Sequence, residues 1–295
     1  MRALVIGWAS FRHGEATAGD VLSMRRVDQA LSVVGLPHDL AWSPVFRPDE
    51  LSYEEVDPAR YSHVVFACGP AHGWQVREVH RRFAHCRRIA VGVSVIDPDD
   101  DAVTGFDQVL ARDQDGLATP DLSVDVPTDE VLVTGVILAP EQREYSGSAR
   151  HADVHAAVTE WIAGVNCARV PLDTRLASSD WERCETPDQF TSILSRLDVV
   201  VTTRLHGLVL SLRSGVPALA IDPVAGGGKV TAQADALGWP ALVSAEEAGR
   251  PEVLDSWWRW CSSVEGRAVA ALRALPTDNG LVRDLVKVLE TGPAR

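Results

Sequence analysis

Short apolar runs alternate with stretches of helical spacing along the whole chain. Residues 3–8, 63–67, 89–95, 131–138, 168–172, 199–203 and 217–222 read as strands. Between them, Val21, Met24, Val27, Leu31 and Val34 fall on one helical face, and Gly35 follows as the residue that ends the helix. Val154, Val158, Trp161 and Ile162 mark a second such face, and Leu281, Leu285, Val288 and Leu289 a last amphipathic helix. Nearly continuous apolar strands alternating with helices imply parallel sheets covered on both sides. The pattern breaks over residues 113–127, where Asp, Gly, Thr and Pro are dense. The expected fold is α/β, with two Rossmann-like domains, 1–126 and 127–295, facing across a cleft in a GT-B-like arrangement.

Composition narrows the possibilities. The 295 residues carry 28 Lys and Arg against 41 Asp and Glu, a formal charge of −13. Such a balance argues against a nucleic-acid surface, which needs clustered cations. No stretch approaches ~18 uninterrupted apolar residues, so no integral membrane segment is expected, and the opening run is too short for a signal peptide. Cys68, Cys86, Cys167, Cys184 and Cys261 are scattered without a C-x-x-C pair. They read as reduced thiols of a cytoplasmic protein rather than a disulfide or zinc framework. The Asp99–Asp101 run reads as a solvated turn.

The scarce cations then become informative. In Thr202-Thr203-Arg204-Leu205-His206-Gly207, a buried strand runs into a helix start. Ligands of open α/β sheets bind at that end of a strand, and a helix N-terminus favours an anion. Arginine adds a planar fork for carboxylate or phosphate, and histidine as a type exchanges a proton near neutral pH. The next strand leads to Asp222 and then Gly226-Gly227-Gly228-Lys229. Lys229 is one of only two lysines, the other being Lys287. Val230 after the lysine excludes a Walker A loop.

The string T-T-R-L-H-G, followed by G-V-P-A-L-A-I-D and G-K-V, resembles the signature of the polysaccharide pyruvyl transferase family. Weaker likenesses are Gly19-Asp20, the Gly69 turn, Val91-Gly92-Val93, Leu110-Ala111-Arg112-Asp113 and Pro120-Asp121. Thr17-Ala18 and Cys68-Gly69-Pro70 stand where the family has Asn and a G-G-G turn. The resemblance implies transfer of the enolpyruvyl unit of phosphoenolpyruvate onto a saccharide or related polyhydroxy acceptor. A ketal closes and phosphate is released, with no cofactor and no metal. On this reading His206 is the catalytic acid, and Arg204, Lys229 and Arg112 hold phosphoenolpyruvate. Asp20, Arg12 and His13 are the acceptor-binding candidates from the first domain.

Two other functions fit the same architecture. A two-domain nucleotide-sugar-dependent glycosyltransferase would use a late carboxylate such as Glu246 or Glu247 on a ribose. A non-catalytic binding protein would tolerate loss of His206. Some residues have plainer readings. Arg204 could pair with Asp222, and His151 with His155 reads as a solvated helix face rather than a metal pair. The group Trp257, Trp258 and Trp260 reads as core, and Cys68 as a small residue in a tight turn.

Overall fold

A computed structural model describes residues 1–114, 116–140, 147–274 and 280–290. The chain divides into two compact units, Met1–Asp129 and Glu130–Arg295. The first is built on β1 (Ala3–Ile6), β2 (His38–Leu40), β3 (His63–Ala67), β4 (Arg87–Ser94), β5 (Gln108–Gln114) and β6 (Leu117–Ala118), with helices α1 (Ala18–Val33), α2 (Trp74–Arg82) and α3 (Asp101–Thr104). Its sheet runs β2-β1-β3-β4-β5-β6, parallel except for the β5–β6 pair. Alternation along the strands splits the core. Leu4, Ile6, Val64 and Phe66 pack with Val76, Val79 and Phe83 on one face, while Val5, Val65 and Ala67 pack with Met24 and Val27 of α1 on the other. The sheet is therefore covered on both sides, as the apolar runs require.

Helix α1 starts with a capping box between Thr17 and Asp20. It ends where Gly35, at φ +66°, donates to the Ser32 carbonyl while Leu36 donates to that of Leu31. This is the Schellman arrangement, which needs a residue tolerant of left-handed φ. Val34 does not share the buried face: it is 72% exposed, because the helix unwinds at that residue. Strands β2 and β5 escape the apolar pattern because they are polar. Asp39 fixes β2 by accepting from both Arg2 and the Tyr61 hydroxyl. The polar stretch 113–127 contributes the end of β5, then β6, then a single 3-10 turn over Leu122–Asp125 that packs on α1. The Asp99–Asp101 run is more than a solvated turn. Asp100 caps α3 and accepts from Arg77 and His72, with its side chain buried.

The second unit holds β7 (Val133–Ile137), β8 (Ala168–Pro171), β9 (Val199–Thr202), β10 (Ala218–Ile221) and β11 (Leu242–Val243). Its helices are α4 (His151–Gly164), α5 (Pro187–Leu194), α6 (Leu205–Arg213), α7 (Lys229–Leu237), α8 (Pro251–Ser262), α9 (Val264–Arg273) and α10 (Gly280–Glu290). The sheet runs β11-β10-β9-β7-β8, all parallel. Every residue of β9 and β10 is buried, so both faces of this sheet are covered too. The two units are thus Rossmann-like domains with one strand order, 2-1-3-4-5, the first adding an antiparallel edge strand.

The tryptophans of α8 are half-buried and pack against the core. Trp258 meets Trp161 edge-on, Trp260 meets Trp239 and Trp257, and the indoles of Trp161 and Trp239 donate to Asp255 and to the Ala218 carbonyl. The amphipathic pattern of α10 does form a helix, but its apolar side chains are exposed, Leu281 at 77%. Periodicity fixes a helix, and only a neighbouring surface can bury its face. Among the described residues, no helix is long and apolar enough to cross a membrane.

Candidate active site

In a 2-1-3-4-5 sheet, the crevice opens at the carboxyl ends of the first and third strands, where the chain reverses its direction of winding. In the second domain these are β7 and β9. Thr202, the last residue of β9, turns the chain: its hydroxyl donates to the Ile137 carbonyl and accepts from the Arg204 amide. Thr203 accepts from the Ala139 amide and meets His155 Nε2 at 3.1 Å. Burial first, and His151 second, hold His155 below the usual imidazole range. The hydrogen bond between His155 and Thr203 lets α4 brace the loop that carries Arg204. Among the described residues, no three His, Cys, Asp or Glu side chains converge as a metal site.

Helix α6 then begins without a side-chain cap and with no acidic residue in its first turn. Its N-terminal amides and positive end favour an incoming anion. Arg204 occupies the cap position and His206 the second helical position, with His206 exposed. Gly207 is dictated by packing: a Cβ there would stand 2.2 Å from Thr202 Oγ1, so the glycine lets α6 seat on the end of β9.

Arg204 does not pair with Asp222. Its NH1 lies 3.0 Å from Asp173 Oδ1, across the end of β7 from the strand β8. Asp222 is committed elsewhere, accepting from the amides of Val224, Gly228 and Thr231 and from the Thr231 hydroxyl. It is a buried clamp on the glycine loop and the start of α7. Asp173 Oδ2 meanwhile takes Arg175 at 2.7 Å. Burial raises the Asp173 carboxyl, but Arg175 and then Arg204 outweigh it and hold it below the usual carboxylate range. Asp173 and Arg175 were not among the residues singled out from the sequence. The signal was present, since Asp-Thr-Arg directly follows the apolar run of β8 at the ligand-facing end.

Lys229 is the first residue of α7, following β10, which pairs with β9 in register. Helices α6 and α7 pack together, so the Arg204 and Lys229 loops lie at one edge of one sheet. Of the late carboxylates, Glu246 accepts from the Gly226 amide and Glu247 from the Ser244 hydroxyl.

The first domain has its own crevice, a cavity of about 690 Å³ beyond β1 and β3. Trp8, His13, Asp20, Cys68 and Arg112 line it. Arg12 does not: its guanidinium is paired with Glu54 at 2.7 Å. Arg112 is heavily engaged, with NH1 at 2.6 Å from Asp121, Nε at 3.2 Å from Asp113, and NH2 on the Ser94 hydroxyl. Burial alone would raise Asp121, yet the Ser123 hydroxyl and amide and then Arg112 lower it to about 2. Cys68 sits at φ +64°, a strained conformation for a residue with a Cβ. Burial pushes its thiol up, and the thiol donates to Asp121 at 3.7 Å.

The stretch from β8 to β10 matches the sequence pattern of a known family. Residues 165–223 match the family model described as polysaccharide pyruvyl transferase. The match takes in Asp173, Arg175, Arg204 and His206 and stops short of Lys229. The resemblance carried by Thr202–Gly207 and Gly215–Asp222 therefore holds over that segment. No curated protein matches the sequence. Among solved structures, the chain is similar to Acinetobacter baumannii MurG at 10% identity and TM-score 0.36, covering 99% of this chain and 100% of that one. It is also similar to Methanocaldococcus jannaschii UDP-GlcNAc 2-epimerase in complex with UDP-GlcNAc and UDP, at 10% identity, TM-score 0.36 and 99% coverage of both chains. E. coli heptosyltransferase WaaC with ADP gives 11% identity and TM-score 0.29, covering 92% of this chain and 100% of that one. Likenesses this remote carry no information about the ligand.

Proposed function

We propose that the protein is a pyruvyl transferase that moves the enolpyruvyl unit of phosphoenolpyruvate onto a polyhydroxy acceptor and closes it to a ketal. The observation that carries this reading is the edge beyond β8 and β9, inside the family-matched segment. There Arg204 and Arg175 share one carboxylate, Asp173, beside the uncapped start of α6 and the exposed imidazole of His206. Two guanidiniums against one carboxylate leave a net positive charge. Lys229 lies in the adjoining loop. That surplus suits a ligand carrying both carboxylate and phosphate on one carbon.

His206 gives a proton to the methylene carbon of phosphoenolpyruvate, and an oxocarbenium-like centre develops at the carbon bearing the phosphate. An acceptor hydroxyl adds there and returns its proton to His206. The C–O bond to phosphate breaks, and a second acceptor hydroxyl closes the ketal, its proton leaving with phosphate. Arg204, Arg175 and Lys229 hold the two anionic groups, and the α6 amides help carry the charge of the departing phosphate. The first domain supplies the acceptor site.

The test is release of inorganic phosphate from phosphoenolpyruvate with a panel of sugars, alongside thermal stabilisation by each donor class. Stabilisation by phosphoenolpyruvate together with acceptor-dependent phosphate release supports the reading. Stabilisation by nucleotide sugars instead, with no phosphate release, sinks it.

A further inference from the structure

The first-domain cavity has an electrostatic character that its one arginine hides. Three carboxylates line it, Glu15, Asp20 and Asp121, against a single guanidinium, Arg112. That guanidinium is already shared between Asp121 and Asp113, so the pairing is spent within the protein. What remains toward the cavity is Glu15 and Asp20, with the His13 imidazole in the same lining. Glu15 is exposed and has no ion pair among the described residues. Asp20 is only 9% exposed. Its Oδ2 takes both Thr17 bonds of the capping box, while Oδ1 has no hydrogen-bond partner among the described residues. That oxygen is open to solvent at the cavity wall, where it can accept from a donor on a bound ligand.

Two kinds of donor suit such a site. A metal ion is one, but no three potential ligands converge among the described residues. An ammonium group is the other, and the half-buried indole of Trp8 on the same wall offers an apolar surface for the ring that carries it. A cavity of about 690 Å³ is ample for a sugar unit.

We infer that this cavity selects an amine-bearing polyhydroxy acceptor, an amino sugar with a free ammonium group, and rejects anionic ones such as uronic acids. Glu15 and Asp20 receive the ammonium, and Asp121, held by Arg112 and Ser123, sets the sign of the wall behind them. The acceptor role rests on the pyruvyl-transfer reading; the charge preference does not, and it is measured without phosphoenolpyruvate.

The experiment is calorimetric binding of the full chain at pH 7 to glucosamine, galactosamine and mannosamine, each against its neutral parent sugar and against glucuronate. At least one amino sugar is expected to bind about tenfold or more tighter than its parent, with glucuronate weakest and added salt narrowing the gap. Glu15→Gln, at an exposed position outside the capping box, is expected to cut that gap several-fold with the fold unchanged. Asp20→Asn is expected to abolish it. Equal binding of amine and parent overturns the inference, as does tighter binding of glucuronate, an undiminished preference in Glu15→Gln, or no binding of any sugar. Failure of phosphoenolpyruvate to release phosphate would sink the donor assignment and leave this result standing.

Discussion

The two domains run the same strand order and open their crevices at equivalent places, yet they present opposite charges. The first ends in Glu15, Asp20 and Asp121, with Arg112 consumed by two carboxylates. The second ends in Arg204, Arg175 and Lys229, with Asp173 as the carboxylate between the two arginines and Asp222 turned inward onto the glycine loop. The helix starts differ in the same sense. Helix α1 closes its amides with the Thr17–Asp20 box, whereas α6 leaves its first turn without a side-chain cap. Topology places a crevice, then, and a handful of loop side chains sets the charge that lines it.

That contrast can be broken most sharply at the second edge. His206→Ala is expected to lower turnover by about 10²–10⁴-fold while phosphoenolpyruvate still stabilises the protein. Loss of binding with turnover unchanged would remove the acid role. Arg204→Ala leaves Asp173 short of a partner and removes one fork. Donor affinity is expected to fall by about 2–5 kcal/mol, read as a shift in the phosphoenolpyruvate titration, and an unshifted titration would place the donor elsewhere. Gly207→Ala forces a Cβ against Thr202 Oγ1, so a loss of about 1–3 kcal/mol in denaturant unfolding is expected. A neutral outcome would mean that the seat of α6 is loose.

The smallest effect belongs to the first edge. Asp121 has a folded pKa of about 2, below its unfolded value. Its contribution is therefore fully present above the unfolded carboxylate range and is lost as pH falls from about 4 toward 2. It amounts to about 2 kcal/mol at most, since the side chain is partly exposed. Asp121→Asn should melt lower than the parent at pH 7, with the gap closing over that acid window. A gap independent of pH would show that the carboxylate's charge contributes nothing.

Much of this was legible from residues alone. The strand 63–67 and the burial of Val154, Val158, Trp161 and Ile162 follow from apolar spacing. The termination of α1 at Gly35 follows from backbone sterics. Arg204, His206 and Lys229 stand out because few cations occur in loops after buried strands. By contrast, β2 and β5 carry too few apolar residues to show a period, and hydrogen bonds from neighbouring strands define them. Asp99–Asp101 looks like surface until Arg77 and His72 arrive from elsewhere in the chain.

The sequence by itself determined the alternation of strand and helix, the domain class and the identity of the few cations near the edges, because periodicity and composition are local properties. Tertiary structure alone decided that Arg204 meets Asp173 rather than Asp222, that Arg112 is spent on its own carboxylates, and that Asp20 keeps one oxygen unused. Pairing of charges depends on which strands become neighbours, and a bond between residues 31 positions apart is set by sheet order, which no local pattern encodes.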